Sequence, residues 1–276
     1  MKRAGFVLAL FLSCIAPAVA QTVVHFPSQA PGKSVQLDAL LYEPAGTGNH
    51  PAVVFMHGCS GLWGATHEPK AREAAWAQLL LDRGYVVLMV DSFTPRRTRN
   101  MCSPATFDPG VYTARPYDAY AALAYLQSQP FVDPGRVAMM GWSEGGGAVL
   151  FTVGNNAPHR NSGFRAAIAF YPGSCNASRL GASWKSTVPL LVLIGEKDVW
   201  TPFGPCVLAL ESAKPQVQIE VYPGAYHDFD WPGAPVRELK AYRTRSGVVP
   251  ITGENPAAHA AAAKLVPEFL EEHLGR

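Results

Sequence analysis

Residues 137–151, VAMMGWSEGGGAVLF, decide how the rest of this chain is read. Val137, Ala138, Met139 and Met140 form a short apolar run of the kind that makes a buried strand. Gly141-Trp142-Ser143-Glu144-Gly145 follows, and Gly146 to Phe151 can open a buried helix. This places a G-x-S-x-G pattern between a strand and a helix, the context that gives the pattern meaning. A sharp strand-to-helix turn holds a serine in strained backbone geometry with its hydroxyl outward. Glycines must flank it, because a Cβ there would collide with the neighbouring strand and helix. The helix N-terminus sets the Glu144 N–H, with its partial positive charge, beside the serine. The five-residue pattern alone also fits a glycine-rich turn with no chemistry, so its surroundings must decide.

Upstream, residues 22–26 and 35–42 read as two antiparallel edge strands joined by Pro31-Gly32. Residues 51–56 are continuously apolar, as in a central strand buried on both faces, and the glycine-rich loop HGCSGLWG at 57–64 follows. Residues 69–83 predict a helix, with Pro69 at its start and Gly84 past its end. A strand at 85–90 ends in Asp91-Ser92-Phe93, and residues 96–110 are a polar loop. A helix is expected at 115–129, then a turn at Asp133-Pro134-Gly135. Downstream, strands are expected at 166–171, 189–194 and 217–222, a short helix at 204–214 and a closing helix at 257–274, with 228–256 irregular. Strands alternating with helices imply an α/β fold, a doubly wound, mostly parallel sheet with helices on both faces. Right-handed crossovers put the loops after the strands along one edge. His57, Cys59, Asp91, Ser143, Cys175, Asp198 and His227 all fall in those loops.

Apolar residues make up 48% of the 276 and charged residues 16%, which describes a globular chain with a substantial core. Residues 1–20 have the form of a secretory signal: Lys2 and Arg3, an apolar run too short to span a bilayer, and Ala18-Val19-Ala20 as a cleavage pattern. The expectation is a single domain over 21–276, exported to a periplasm or the medium, with no membrane span in the mature chain. Without Lys2 and Arg3 the 23 basic residues become 21, against 21 acidic ones. A neutral chain has no electrostatic case for binding nucleic acid. Of the five cysteines, Cys59, Cys102, Cys175 and Cys206 lie beyond the leader. In an oxidising compartment an even number suggests bridges, with three pairings open, against the alternative of four buried thiols.

A serine hydroxyl needs an adjacent base to attack a carbonyl. His227 follows the last strand among small neighbours and is the best candidate. His259 and His273 fall on the closing helix, His159 in a helix-end loop and His25 on an edge strand. A carboxylate must orient the imidazole; Asp198 follows the preceding strand, with Glu196 as its competitor. Ser143, Asp198 and His227 then stand in the chain order of α/β-hydrolases. Charge on the attacked oxygen calls for two backbone N–H groups. Glu144 supplies one, and the 57–64 loop the other, from Cys59 or else Ser60. The His57 side chain is expected to be hydrogen-bonded in the core. A metal role for His227, Asp228 and Asp230 lacks a second histidine at a suitable interval, and the cysteine spacing does not match a zinc site.

Taken together, HGCSGLWG, VDSF, GWSEGGG, GEKD and YHDF resemble the dienelactone hydrolase family of α/β-hydrolases, over roughly residues 35–274. The resemblance implies one doubly wound domain, cofactor-free hydrolysis of a small ester or lactone, and catalytic roles for Ser143, Asp198 and His227. It also implies that the strands before Cys59 and Cys102 are neighbours, as are those before Cys175 and Cys206, so the expected bridges are Cys59–Cys102 and Cys175–Cys206. The enzymes that name the family carry cysteine where Ser143 stands. They hold a substrate carboxylate with two arginines. Arg96 or Arg97 matches the first, whereas Asp228, Phe229, Asp230 and Trp231 stand where the second would be, unless Arg237 substitutes. The expected substrate is therefore a less charged acyl or aryl ester, held by an aromatic rim of Trp63, Trp142, Phe93, Trp200, Phe229 and Trp231. Two rival readings are a catalytically idle hydrolase fold that binds a ligand or partner, and a peptidase; the latter lacks the extra domain that usually confers peptide selectivity. Oligomeric state is open.

Overall fold

The computed structural model describes residues 20–275 except 33, 160–162, 214–215 and 245, and only the backbone at Ala20 and Ser212. The predicted leader lies outside the described residues, apart from the backbone of its last position.

Strands β1 (Ala20–Pro27), β2 (Gln36–Glu43), β3 (His50–Met56) and β4 (Val86–Asp91) form the first half of the sheet. Strands β5 (Val132–Trp142), β6 (Ala166–Phe170), β7 (Leu190–Gly195) and β8 (Val217–Tyr222) form the second. They join in the order β1-β2-β4-β3-β5-β6-β7-β8. The two edge pairings that involve β2 are antiparallel; from β4 to β8 every pairing is parallel. Successive strand residues face opposite sides. Thus Ala52, Val54 and Met56 of β3 enter one core, while Val53 and Phe55 enter the other. A strand buried on both sides cannot alternate with polar residues, and β3, β4, β6 and β7 read as near-continuous apolar runs for that reason.

Helices α1 (Ala71–Leu81) and α6 (Pro256–Leu274) cover one face of the sheet. Helices α2 (Pro109–Gln127), α3 (Glu144–Val153) and α5 (Phe203–Leu210) cover the other, and α4 (Ala177–Leu180) is a single turn beside α5. The loops after β3 to β8 consequently open on one edge, carrying His57, Asp91, Ser143, Tyr171, Asp198 and His227.

Two boundaries differ from expectation. Helix α2 begins at Pro109, not near residue 115, because Asp108 caps it: its carboxylate accepts from Gly110 N at 2.8 Å and Val111 N at 3.2 Å, and a proline at the first turn sacrifices no hydrogen bond. The Asp133-Pro134-Gly135 turn is an irregularity inside β5, where the register jumps from His50↔Val132 to Ala52↔Val137.

Cys59–Cys102 and Cys175–Cys206 are both bridged. Each joins segments that follow neighbouring strands, β3 with β4 and β6 with β7, at the same edge of the sheet.

Candidate active site

The strand β5 and helix α3 meet at Ser143, whose φ of 53° and ψ of −113° lie outside the regions open to ordinary residues. The neighbours hold it there. Its N–H donates to Phe170 O at 2.9 Å, and its carbonyl accepts from Gly147 N at 2.9 Å and Gly173 N at 2.7 Å. A Cβ on Gly145 would run into the Met56 carbonyl, and one on Gly141 into the Gly145 carbonyl. Glycine at both flanks is thus what lets α3 pack against β3 and β5 while the serine projects.

The three side chains singled out from far apart in the chain meet here. Ser143 Oγ donates toward His227 Nε2 at 3.0 Å, and His227 Nδ1–H toward Asp198 Oδ2 at 2.7 Å. Asp198 is held on every side: Oδ1 accepts from Trp200 N at 2.8 Å and Thr201 N at 2.9 Å, and Oδ2 from the Thr201 hydroxyl at 2.7 Å. The competing Glu196 is exposed and accepts from Gly224 N at 2.9 Å, closing a turn. Burial disfavours a charged His227, but the charge and hydrogen bond of Asp198 outweigh it and raise its pKa above the ordinary 6.5. The ring lies between Tyr171, 4.4 Å away between centroids, and Trp200, 5.1 Å away.

The loop after β3 comes up beside the serine. Gly58 has no Cβ, and one built there would stand 3.7 Å from Ser143 Cβ. His57 is buried and turns back on its own loop, donating Nδ1–H to Gly58 O at 2.8 Å while Nε2 accepts from Ser92 N at 3.3 Å. Burial, helped by the Arg115 charge, lowers its pKa to about 3, so the ring is neutral. Because a peptide unit is planar, fixing Gly58 O also fixes the direction of the Cys59 N–H. Lys70 holds the outer part of the loop, donating to Ser60 O at 2.7 Å, Ser60 Oγ at 2.8 Å and Gly61 O. Met101 N donates to Cys59 O at 2.7 Å, next to the bridge to Cys102.

Behind the histidine lies a polar network that the sequence reading missed. Asp230, fully buried, accepts from Trp76 Nε1 and Trp142 Nε1, both at 2.8 Å, and from the Tyr171 hydroxyl at 2.6 Å. Arg72 donates to Asp228 at 2.7 Å, Tyr171 at 2.9 Å and Glu73 at 2.6 Å, with its guanidinium over the rings of Trp142 and Trp231. The residue before Ser143 and the residue after His227 are therefore tied into one cluster. Its signal in the sequence was a cation on an apolar helix stripe: Arg72, Trp76 and Leu80 stand four apart and all are buried.

Ser143 opens into a cleft of about 700 Å³ lined by Cys59, Met101, Phe107, Tyr112, Pro172, Cys175, Trp200, Arg179 and Arg243 among others. Among the described residues no group of three or more His, Cys, Asp or Glu could hold a metal ion.

With that geometry in view, comparison with known proteins is decisive for the family. The model of the dienelactone hydrolase family matches residues 37–274. The chain belongs to the dienelactone hydrolase family. It is 24% identical over 200 residues to a probable 2-oxo-3-(5-oxofuran-2-ylidene)propanoate lactonase of Bradyrhizobium, covering 69% of this chain and 78% of that one. It is 30% identical over 135 residues to the quorum-quenching protein AidA of Acinetobacter baumannii, covering 46% of this chain but only 39% of that one. Among solved structures, a dienelactone hydrolase-like promiscuous phosphotriesterase from metagenomic libraries superposes with a TM-score of 0.68 at 20% identity, covering 93% of this chain and 100% of the other. Esterase 2 of Thermogutta terrifontis, phosphorylated by paraoxon, gives 0.60 at 21% identity, covering 93% and 94%.

Within this dienelactone hydrolase fold, the expected substrate contacts need correction. Arg96 is not in the cleft: both its Nη atoms bond Asp118 at 2.8 Å, and it also reaches Ser92 O and Ser28 Oγ, so it ties β4 to α2 and the β1 side. Arg97 and Arg237 are exposed and do not line the cleft. Trp142, Phe93 and Phe229 are buried in the core, and Trp63 is pinned by its Nε1–H to Asp91 at 2.5 Å. Aromatics beside catalytic-edge loops have large apolar surfaces to hide, and here core packing took them. Of the expected rim, Trp200 alone lines the cleft. Among the described residues, the cations there are Arg179, on α4, and Arg243, from the irregular segment; neither position carried a recognisable motif.

Proposed function

We propose that residues 21–276 form a single exported domain that hydrolyses carboxylic esters or lactones through an acyl-enzyme on Ser143. The observation that carries this reading is the continuous hydrogen-bond series from Ser143 Oγ to His227 at 3.0 Å and from His227 to Asp198 at 2.7 Å, at the mouth of a cleft of substrate size. Ser143 Oγ attacks the carbonyl carbon as its proton passes to His227 Nε2. Asp198 holds the imidazole in the tautomer that offers Nε2 as base and stabilises the cation that forms. The developing oxyanion is met by the N–H groups of Cys59 and Glu144; the latter, at the first position of α3, has no carbonyl within its own helix to bond. The imidazolium then protonates the departing alcohol oxygen. Water, activated by the same histidine, attacks the acyl-enzyme and releases the acid.

The names of the relatives support esters and lactones as the substrate class: one is named a probable lactonase for a propanoate-bearing lactone, and one solved structure an esterase. Arg179 and Arg243 in the cleft favour a substrate with an anionic group over the less charged acyl or aryl ester expected from the sequence. Export is supported by the leader-like residues 1–20 and by all four remaining cysteines being bridged.

The test is direct. Purified protein should cleave short nitrophenyl esters and take up a fluorophosphonate at Ser143, with mass spectrometry locating the adduct. Ser143→Ala should lose activity by several orders of magnitude while keeping its melting temperature. A folded wild type that neither turns over any ester or lactone nor is labelled would leave only a ligand-binding role.

A further inference from the structure

Arg115 has no part in the proton transfers, yet it is completely buried beneath the two segments that bear the oxyanion donors. Its Nη2–H donates to the His57 carbonyl at 2.6 Å, two residues before Cys59. Its Nη1 pairs with Glu144 Oε1 at 3.2 Å, and Glu144 immediately follows Ser143. The Phe93 ring packs on its guanidinium, with Cζ 5.3 Å from the centroid. One rigid planar cation therefore spans the loop after β3 and the first residue of α3, two segments that approach each other at the nucleophile.

We propose that Arg115 is a positioning residue that fixes the separation and aim of the Cys59 and Glu144 N–H groups, an inference that rests on the Ser143 acyl-enzyme reading. Three observations support it. The loop needs a restraint at this point, because Gly58, free of a Cβ, lies between His57 and Cys59. The other restraints act elsewhere: Lys70 on Ser60 and Gly61, Met101 N on Cys59 O, and His57 Nδ1–H on Gly58 O. None of these touches the α3 segment, whereas Arg115 touches both. Nor does stability account for the pair, since a buried ion pair adds little over apolar residues of equal volume. Catalysis, by contrast, is acutely sensitive to such geometry: a displacement of about 1 Å can cost about 10²-fold in rate. Burial pushes the Glu144 carboxyl up, and the Arg115 charge opposes that push.

The experiment compares an oxygen ester with its thionoester, in which sulfur replaces the carbonyl oxygen. A hole set for a small, hard oxyanion favours the oxygen ester, and this preference reports donor placement. Misfolding or a displaced serine would slow both substrates equally. Arg115→Met should lower kcat for the oxygen ester by about 10²-fold, as loss of one oxyanion donor does, with KM within about threefold, and should collapse the oxygen-over-sulfur preference in parallel. Arg115→Lys keeps the charge but not the planar fork; it should fall between the two, about tenfold below wild type. Should the methionine variant fail to fold by circular dichroism, the lysine variant decides. A folded variant whose kcat loss leaves the oxygen-over-sulfur ratio at the wild-type value, or which loses no kcat, overturns the inference. Fluorophosphonate labelling of wild-type Ser143 runs alongside: absence of labelling defeats the acyl-enzyme reading itself, whereas labelling with an unchanged ratio defeats only the role of Arg115.

Discussion

His227 sits where two opposing physical effects are resolved by one neighbour. Burial alone would make the imidazole harder to protonate; Asp198, at 2.7 Å, reverses that and carries the pKa above 6.5. As the proposed general base, His227 works only when neutral, so ester hydrolysis should fail as pH falls through a value above that of a free histidine. Asp198→Asn removes the raising influence and leaves burial. The acidic limb of the kcat/KM profile should then move to lower pH, while the plateau drops by about 10⁴-fold, as when a triad aspartate elsewhere is neutralised. A limb that stays in place would show that another group titrates there. The stability contribution has the opposite sign. A raised folded pKa stabilises the fold below the unfolded pKa, and that contribution is lost as pH rises through the folded value. Acid thus favours the folded charge pair but disables the base, so melting and activity profiles should diverge on the acid side.

At the scale of elements, what could be read from the sequence is what backbone periodicity and turn sterics encode. Uninterrupted apolar runs marked β3, β4, β6 and β7, and the glycines around Ser143 marked the strand-to-helix turn. What escaped was decided by single local contacts: the Asp108 cap that starts α2 early, the irregularity at Pro134, and the buried cations Arg72 and Arg115. Arg115 shares its stripe with Ala119, Ala122 and Leu126, so a charge on an apolar face was visible, but its partner on another element was not. The bridges show how elements are then braced. Cys59–Cys102 closes a span of 43 residues and Cys175–Cys206 one of 31. In the chain-entropy account each restricts the unfolded chain by about 4 kcal/mol. Reducing both should lower the melting temperature by well over 5 °C, judged from about 2–4 °C per kcal/mol for a domain of this size. Removing Cys59–Cys102 alone should also reduce kcat, because Cys59 bears a proposed oxyanion donor, whereas Cys175→Ala with Cys206→Ala should act mainly on melting. The check is a pair of double alanine variants, each measured by calorimetry and by steady-state turnover; equal kcat in both would separate the first bridge from the hole.

Over the whole molecule, charge is nearly balanced, so selection for an anionic substrate cannot come from a global field and must come from where the charges stand. Among the described residues the cleft carries Arg179 and Arg243 at its exposed wall, while its one carboxylate, Glu144, is buried against Arg115. A carboxylate-bearing ester entering the cleft therefore meets uncompensated positive charge, and a neutral ester of the same shape does not. The family resemblance put one substrate-holding arginine at Arg96 or Arg97, shortly after β4. Arg96 is instead consumed by Asp118, and the replacements come from α4 and from residues beyond β8. Exposed charge pairs contribute about 0.2–1 kcal/mol each, so Arg179→Ala and Arg243→Ala should each raise KM for an anionic ester by about 1.5–5-fold and leave the neutral analogue unchanged. Screening supplies an independent control. Going from about 0.01 M to 1 M salt shrinks the Debye length from about 30 Å to 3 Å. The anionic substrate should lose kcat/KM over that range, the neutral one should not, and the double arginine variant should abolish the difference. If the two esters respond alike to salt and to both substitutions, the arginines have no role in selecting the substrate, and the cleft recognises its ligand by shape and apolar contact with Met101, Phe107 and Trp200.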